Sequence, residues 1–205
     1  MHASHNYEFE LESENLLDET NEECLISNEE ICEGSIVSFD ISPEGKFVIA
    51  YSNGCVNIYD DNFEFLLSLE PVFATNYVFW SGENLNLYCN KPDMCMQLNE
   101  RYEVQGMYMV KSTTENYDLK YELYTKKQID YAGATYRMDG LFLFPYTRFL
   151  KITDDNQTVL IDTTVKTVKP IIIKIVFISL AMLLIFVFAL KKTILLAKQT
   201  VKRKD

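Results

Sequence analysis

Short runs in which apolar and polar residues alternate dominate the chain from Ile36 onward. This period-two pattern is typical of strands with one buried face, and the many tyrosines, phenylalanines, valines and isoleucines favour strands over helices. The clearest runs are bounded by residues that favour turns. They predict four successive strands, at Ile36–Ser42, Phe47–Tyr51, Val56–Tyr59 and Phe63–Leu69.

The connections between these four runs have the composition of tight turns. Pro43 fixes φ at the start of the first turn, and Gly45 supplies a residue that tolerates positive φ. Asn53-Gly54 is a strong hairpin signal, and Asp60-Asp61-Asn62 forms the third connection. Because each connection is short, consecutive strands pair antiparallel, and the segment is predicted to form a four-stranded meander.

This meander resembles one blade of a β-propeller of the WD40, TolB or NHL kind. Two stretches carry the resemblance: Phe39-Asp40-Ile41-Ser42-Pro43-Glu44-Gly45-Lys46, similar to the turn between blade strands, and Val56-Asn57-Ile58-Tyr59-Asp60, similar to the strand before a blade's last turn. The Gly-His and Trp-Asp marks of WD40 repeats are absent. The resemblance implies a propeller-like fold.

Weaker copies of the meander are predicted further along the chain. A second unit contains candidate strands at Tyr77–Trp80, Leu85–Tyr88, Met94–Leu98 and Tyr102–Val110. A third unit, from Asp118 to about Asp162, contains candidate strands at Leu119–Tyr124, Gln128–Met138 and Phe142–Phe144 and a hairpin at Phe149–Asp162.

Two echoes suggest that these units are related. Leu85-Asn-Leu-Tyr88 repeats Val56-Asn-Ile-Tyr59 at a spacing of 29 residues, and Asp154-Asp-Asn156 echoes the turn at residues 60–62. We therefore predict a mainly β fold of antiparallel four-stranded, blade-like meanders. Three units would make a small or incomplete propeller, a sandwich-like stack, or a part that closes with a partner.

The C-terminal region predicts one transmembrane helix. Residues 171–190 contain a single charge, Lys174, and a helix of that length spans about 30 Å, the thickness of a bilayer's hydrocarbon core. Pro170 is expected in the first helical turn, and Lys191 and Lys192 end the apolar run. With this anchor the chain resembles small single-span bacterial proteins with propeller-like strands, which implies a fold and an anchor and no particular activity.

Four regions follow from these patterns. Residues 1–34 form an acidic segment in which the alternation at Tyr7–Leu11 suggests one strand. For Asn15–Glu33 the sequence fits a short helix, a loop or a disordered segment. Residues 35–165 form the β-rich domain, residues 170–190 the transmembrane helix, and residues 191–205 a short basic tail.

Charge divides the chain into two parts of opposite sign. The chain carries a net charge of −11, with 12 basic and 29 acidic residues up to Lys169 but six basic residues and one acidic residue after Leu190. An acidic domain lacks the positive surface that nucleic acids require, so the lipid bilayer and an unknown protein are the predicted partners.

The expected location is the cell membrane, with the tail in the cytoplasm by the positive-inside rule. That rule places the domain outside, whereas unpaired cysteines and an N-terminus without a signal peptide favour the inside.

Residue types that carry catalysis are scarce. The two histidines, His2 and His5, lie at the N-terminus, and the five cysteines contain no Cys-x-x-Cys pair, which predicts free, buried thiols. The Asp60 and Asp154 turns could bind Ca²⁺ but are explained by hairpin chemistry. We assign no catalytic, metal or cofactor residue. Six aromatic residues are candidates either for a ligand surface or for core pairing: Tyr77, Trp80, Tyr88, Tyr108, Tyr136 and Tyr146.

The favoured function is therefore a membrane-tethered protein-interaction module, not an enzyme. One alternative is an anchored ligand-binding receptor or carboxylate-based enzyme, which requires a pocket with convergent carboxylates or aromatic side chains. A second is a regulator that contacts another membrane protein through its helix.

Overall fold

The computed structural model describes residues 8–13, 15–16, 24–30, 33–140, 145–154 and 156–202, with side chains as far as residue 191 and without that of residue 190. The chain divides into two compact units, Met1–Thr164 and Val165–Asp205. The first unit contains three antiparallel sheets and one helix, and the second is the remainder of a long C-terminal helix. The predicted fold class, mainly β with a C-terminal apolar helix, is confirmed.

The first sheet is the meander that the turn residues predicted, with one additional strand at its outer edge. Its spatial order is β1-β5-β4-β3-β2. Its strands are β1 (Cys24–Ser27), β2 (Ile36–Ile41), β3 (Phe47–Tyr51), β4 (Val56–Tyr59) and β5 (Phe65–Pro71). β5 begins two residues later than predicted because Phe63, at φ 65°, belongs to the preceding turn.

The other two sheets are also meanders whose spatial order follows the sequence. The strands of the second sheet are β6 (Tyr77–Ser81), β7 (Asn84–Asn90), β8 (Asp93–Leu98) and β9 (Val104–Met109). Those of the third are β10 (Gln128–Tyr131), β11 (Ala134–Asp139), β12 (Arg148–Thr153) and β13 (Asn156–Asp162). The long strand predicted at Gln128–Met138 is interrupted by a turn, in which Ala132 and Gly133 have φ of 49° and 76°. The candidate strand at Phe142–Phe144 lies outside the described residues.

The strand predicted at Leu119–Tyr124 is wrong, because this segment lies in helix α1 (Thr114–Thr125). Thr113 caps the helix, since its side-chain oxygen accepts a hydrogen bond from the backbone N–H of Asn116. Leu119 and Leu123, four residues apart, pack inward together. Apolar and polar residues alternate in this segment as they do in a strand, whereas the inward-facing leucines have the four-residue spacing of a helix.

The N-terminal segment lies along the outer edges of two sheets. Leu11 forms an isolated bridge with Val110, next to β9, and β1 pairs with β5. Phe9 is buried and contacts the rings of Phe79 and Tyr88. The strand suggested at Tyr7–Leu11 is thus reduced to a single bridging residue among those described.

The repeated unit that the structure shows is a turn, not the predicted strand pair. Val56–Tyr59 is the third strand of the first meander, while Leu85–Tyr88 lies in the second strand of the next, so the two are not equivalent. The equivalent elements are the turns before β5 and β9. In the turn before β5, one side-chain oxygen of Asp60 accepts two backbone N–H groups and Phe63 adopts positive φ. In the turn before β9, Asn99 and Tyr102 have the same two roles.

The first sheet lies between the other two and is buried on both faces. One core contains Val48, Val56, Leu69 and other side chains of the first sheet, packed against Trp80, Leu87 and neighbouring residues of the second sheet. The opposite core joins the first sheet to the third. The rings of Phe39 and Phe47 lie 4.8 Å and 6.5 Å from that of Phe149. All five residues of β3 are buried, as expected for a central layer.

The ends of this stack are closed in two different ways. α1 and Phe9 cover the outer face of the second sheet, where Leu123, Phe79 and Cys95 share a small core. On the outer face of the third sheet, Arg148 pairs with Asp139 and the Thr135 hydroxyl donates to Asp130. The described part of that face thus carries polar pairs beside two apolar residues, the buried Leu150 and the exposed Val159.

Asp40 joins the three layers at their inner strands. Its carboxylate accepts the backbone N–H of Trp80 in β6 at 2.7 Å and pairs with the Lys126 ammonium at 3.1 Å. Lys126 follows α1 and leads into β10, and both side chains are only 9% exposed. Ser38, two residues before Asp40, accepts the N–H of Val78 in the same way at 3.3 Å. These side-chain bonds fix the register of β2 beside β6.

Helix α2 (Thr164–Lys202) is 39 residues long and includes the predicted span. Within its segment Thr164–Ala189, the most apolar window of 18 residues has a mean hydropathy of 3.0 and none of that window is buried, so by length and composition the helix is able to cross a membrane. Pro170 lies inside the helix and not in its first turn. The helix starts earlier because the Asp162 carboxylate accepts the N–H of Thr164 at 2.8 Å, and hydrogen bonds from Thr164 lower the pKa of that carboxyl. The helix also continues through most of the basic tail.

Removing the Asp40 charge should destabilise the β-rich unit more than removing a surface charge. Asp40→Asn removes the carboxylate from its pair with the Lys126 ammonium, and loss of one partner of a buried pair costs about 3 kcal/mol. Glu44→Gln is the matched control, because the exposed Glu44–Lys46 pair contributes less than about 1 kcal/mol. Urea unfolding followed by the fluorescence of the single tryptophan, Trp80, measures both. Equal losses in the two variants would contradict the role given to Asp40.

Candidate interaction surface

The described residues include only part of the side chains considered for catalysis or metal binding. Within the described residues, no three His, Cys, Asp or Glu side chains form a cluster able to hold a metal ion. The Asp60 carboxylate accepts the N–H groups of Asn62 and Glu64 at 3.0 Å and 2.7 Å, which is turn chemistry. Asp154 is described but the residue after it is not, and His2, His5 and Cys32 lie outside the described residues.

The six aromatic candidates are dispersed over the β-rich unit. Trp80 lies between the first and second sheets, Tyr136 lies between the first and third, and Tyr88 lies on the outer face of the second. Tyr77, Tyr108 and Tyr146 are half-buried. The Tyr88 hydroxyl donates to Asp93. Burial, as the larger cause, and this hydrogen bond, as the smaller one, both raise the pKa of Tyr88. These side chains do not share one ligand surface.

A cleft of about 200 Å³ opens at the turns between the first and second sheets. Glu44, Glu83 and Glu100 contribute carboxylates to it, and Trp80 contributes to its wall. Lys46 pairs with Glu44 at 3.3 Å. The Trp80 indole N–H is buried and has no hydrogen-bond partner. The cleft is therefore an acidic hollow that favours a cationic group.

The tyrosine face is the most exposed aromatic surface of the described chain outside α2. It consists of Tyr117, Tyr121 and Tyr124 on α1, which are 75%, 70% and 61% exposed. Their spacing of four and three residues places them on one flank of the helix. Asp118 and Glu122 are exposed on the adjoining flank. Three large amphipathic side chains are thus presented together beside negative charge.

Buried polar and apolar contacts hold α1 in place beneath this face. The buried Asn116 amide accepts the N–H of Glu10 at 2.9 Å and donates to the carbonyl oxygens of Glu10 and Lys111 at 2.8 Å and 2.9 Å. Leu119 and Leu123 pack against the second sheet. The tyrosines therefore project from a fixed element, and little conformational entropy would be lost when a partner binds them.

The basic residues close to the tyrosine face are already engaged. Lys120 pairs with Asp93 at 2.5 Å, and Lys126 pairs with Asp40. Lys127 lies over the rings of Tyr124 and Tyr146, at 5.5 Å and 5.2 Å from their centres, and burial lowers its pKa. The positive charges next to the tyrosine face are therefore held in ion pairs or over aromatic rings.

Sequence reasoning missed this surface because it treated residues 119–124 as a strand. In a strand, Tyr121 would share a face with Leu119 and Leu123, which are the residues that α1 turns inward. The signal that identifies the helix is the Thr113 cap followed by leucines four residues apart.

Comparisons with known proteins add little to this geometry. No family model and no curated protein matches the chain. One similar solved structure is that of a streptogramin B lyase, with 11% sequence identity and a TM-score of 0.35 over 67% of this chain. The chain spans 44% of the length of that structure. A TM-score of this size is too low to carry a functional argument.

Thiol reactivity should follow the burial of the described cysteines. Cys89 and Cys95 are buried, whereas Cys24 and Cys55 are half-buried. Burial raises the pKa of Cys24 to about 11 and raises those of Cys55 and Cys95 as well. Since the thiolate reacts, we expect alkylation at pH 8 in the order Cys55, then Cys24, with Cys95 protected until unfolding, and faster alkylation as the pH rises. Mass spectrometry of iodoacetamide-treated protein measures this order. Early alkylation of Cys95 would contradict it.

Proposed function

We propose that this chain is a membrane-anchored interaction module that binds a protein partner through the tyrosine face of α1. The observation that carries the proposal is the high exposure of three tyrosines on one flank of a rigid helix. Tyrosine is enriched at protein interfaces because it combines a large apolar ring with a hydroxyl and has few rotatable bonds. Isolated exposed aromatic residues are common, whereas three on one flank of a helix form an apolar patch of the kind found at interfaces.

The anchor supports the same proposal. A helix that is long and apolar enough to span a bilayer follows the β-rich unit, so the module would act at a membrane. We propose a single-pass protein of the cell membrane with the basic tail in the cytoplasm, because lysines and arginines resist transfer across an inside-negative membrane. With one span, the β-rich unit then lies on the opposite side.

This topology predicts that Cys55 is accessible from outside intact cells. A membrane-impermeant maleimide should label Cys55 on intact cells as strongly as in opened cells, since this thiol is half-buried and lies in the β-rich unit. A chain with Cys55→Ser serves as the control for labelling at other thiols. Labelling that requires opened cells would place the unit in the cytoplasm and reverse the proposed topology, while leaving partner binding to be tested separately.

The tyrosine face should be required for partner binding in membranes. A photo-crosslinking residue at Tyr121 should capture a defined partner, and the triple variant Tyr117→Ser, Tyr121→Ser, Tyr124→Ser should lose binding at least tenfold. Removal of interface hot spots commonly costs about 2 kcal/mol each. Val72→Ser is the matched control, because Val72 is 63% exposed and lies away from α1, just after β5.

Two outcomes would reject this assignment. Partner capture by the triple variant at the level of the Val72→Ser control would exclude the tyrosine face. If binding is lost instead when the 26-residue apolar segment of α2 is exchanged for an unrelated span, the alternative of a regulator acting through its transmembrane helix is favoured. Circular dichroism of each variant confirms that α1 remains folded.

The acidic cleft favours a second candidate function, a receptor for a small cationic ligand. Its volume and its carboxylates suit such a group, and Trp80 in its wall provides a direct readout. A ligand that binds there should change Trp80 fluorescence, and Glu83→Gln together with Glu100→Gln should abolish the change. An unchanged response in that variant would exclude the cleft.

A further inference from the structure

The three carboxylates of the acidic cleft come from three different turns. Glu44 lies between β2 and β3, Glu83 between β6 and β7, and Glu100 between β8 and β9. Although they line one cleft, they do not belong to any group of three side chains in the described chain that could hold a metal ion. The negative charge is therefore distributed around the cleft, which suits an organic cation better than a bare metal ion, since a metal ion requires convergent ligands.

Most of this negative charge is not compensated by the described part of the protein. Lys46 also lines the cleft, but its ammonium pairs with Glu44 at 3.3 Å. Glu83 and Glu100 are exposed, and neither takes part in an ion pair between described residues. These two carboxylates therefore attract a positively charged group that enters the cleft.

The wall of the cleft contains a buried hydrogen-bond donor without an acceptor. Trp80 lines the cleft although it is only 5% exposed, and its indole N–H has no hydrogen-bond partner among the described residues. Its backbone N–H, in contrast, donates to Asp40 at 2.7 Å. Because an indole N–H can only donate, the group that satisfies it must be an acceptor. A buried donor without an acceptor is unfavourable, so a ligand that supplies one gains affinity.

We infer that the cleft binds a small amino alcohol, whose ammonium group is held by the carboxylates and whose hydroxyl oxygen accepts the Trp80 indole N–H. This inference rests on the second candidate function, a receptor for a cationic ligand, and adds the chemical class of that ligand. A simple amine would balance the charge but has no acceptor, because its ammonium group only donates. An amino acid has an acceptor but adds a carboxylate to an acidic cleft. The indole ring also attracts an organic ammonium group.

The size and charge of the cleft narrow the class further. Its volume of about 200 Å³ is below the roughly 300–1,000 Å³ of pockets for drug-sized ligands, so it suits a molecule of a few non-hydrogen atoms. A phosphorylated amino alcohol, such as a lipid headgroup, would place its phosphate among the three carboxylates and be repelled. The expected ligand is therefore the free amino alcohol.

Calorimetric titration of the full chain in an uncharged detergent tests this inference with matched cations. Choline carries a hydroxyl group, whereas n-propyltrimethylammonium carries a methyl group in its place and is otherwise the same. Choline should bind about fivefold more tightly, which is the range expected for one net hydrogen bond. Phosphocholine should bind more weakly than choline because of its phosphate.

Two variants separate the hydrogen bond from the charge. Trp80→Phe keeps an aromatic ring and removes the N–H, so the affinity for choline should fall to that for n-propyltrimethylammonium, which should hardly change. Glu83→Gln together with Glu100→Gln should weaken the binding of both cations by a similar factor. Val72→Ser is the matched control, because Val72 is exposed and does not line the cleft.

A measurement on the unsubstituted chain covers the case in which Trp80→Phe does not fold. Because Trp80 is the single tryptophan, a chain labelled with nitrogen-15 tryptophan has one indole resonance. Choline should move the proton of that resonance downfield, as a new hydrogen bond does, and n-propyltrimethylammonium should move it much less.

The outcomes distinguish this inference from the candidate function on which it rests. If neither cation binds, the cleft is not a receptor and the inference fails with it. Equal affinities for the two cations, equal shifts of the indole proton, or an equal loss of both affinities in folded Trp80→Phe would overturn the amino-alcohol assignment while leaving a cation receptor. Tighter binding of phosphocholine than of choline would overturn the choice of the free compound.

Discussion

The arrangement of the three sheets depends on the carboxylate of Asp40. Neighbouring sheets in the stack share side-chain cores, and apolar packing alone tolerates sliding between layers because it is not directional. Asp40 provides directional contacts between the layers, since one carboxylate oxygen accepts the Trp80 N–H and the other pairs with Lys126. A buried ion pair adds little net stability compared with apolar residues of the same size, so its value here is to select one register for β2, β6 and the start of β10.

The sequence predicted the first two sheets well because their turns are chemically explicit. Pro43, Gly45 and Asn53-Gly54 mark the ends of β2, β3 and β4, and positive φ at both glycines agrees with their assigned roles. The third sheet was less predictable. The local pattern is ambiguous there, because residues 119–124 alternate like a strand while the Thr113 cap and the leucines four residues apart favour a helix. The helix is accompanied by tertiary contacts, including the bonds of the buried Asn116 to the N-terminal segment. A local pattern does not contain those contacts.

The same reasoning explains why the echo between the two strand segments failed, whereas the turns at Asp60 and Asp154, the other predicted echo, both precede the last strand of a sheet. Apolar strand residues recur for general reasons, so the similarity of residues 56–59 and 85–88 did not indicate equivalent positions. Turn residues recur for specific reasons. Asp60 and Asn99 each satisfy two backbone N–H groups, and the aromatic residue three positions later must tolerate positive φ. Turn chemistry therefore identifies equivalent positions in these meanders better than the strands do.

The tyrosine face was missed because the alternation at residues 119–124 was interpreted as a strand, and its position has a physical consequence. α1 closes the outer face of the second sheet, and one flank of the same helix presents Tyr117, Tyr121 and Tyr124 to solvent. The element that completes the core is thus also the element that a partner would bind. Asn116 and the Lys126–Asp40 pair, which lie near the two ends of α1, hold this helix against the sheets. A partner that bound only the docked helix would therefore also stabilise the whole stack, because a ligand of the folded state shifts the folding equilibrium.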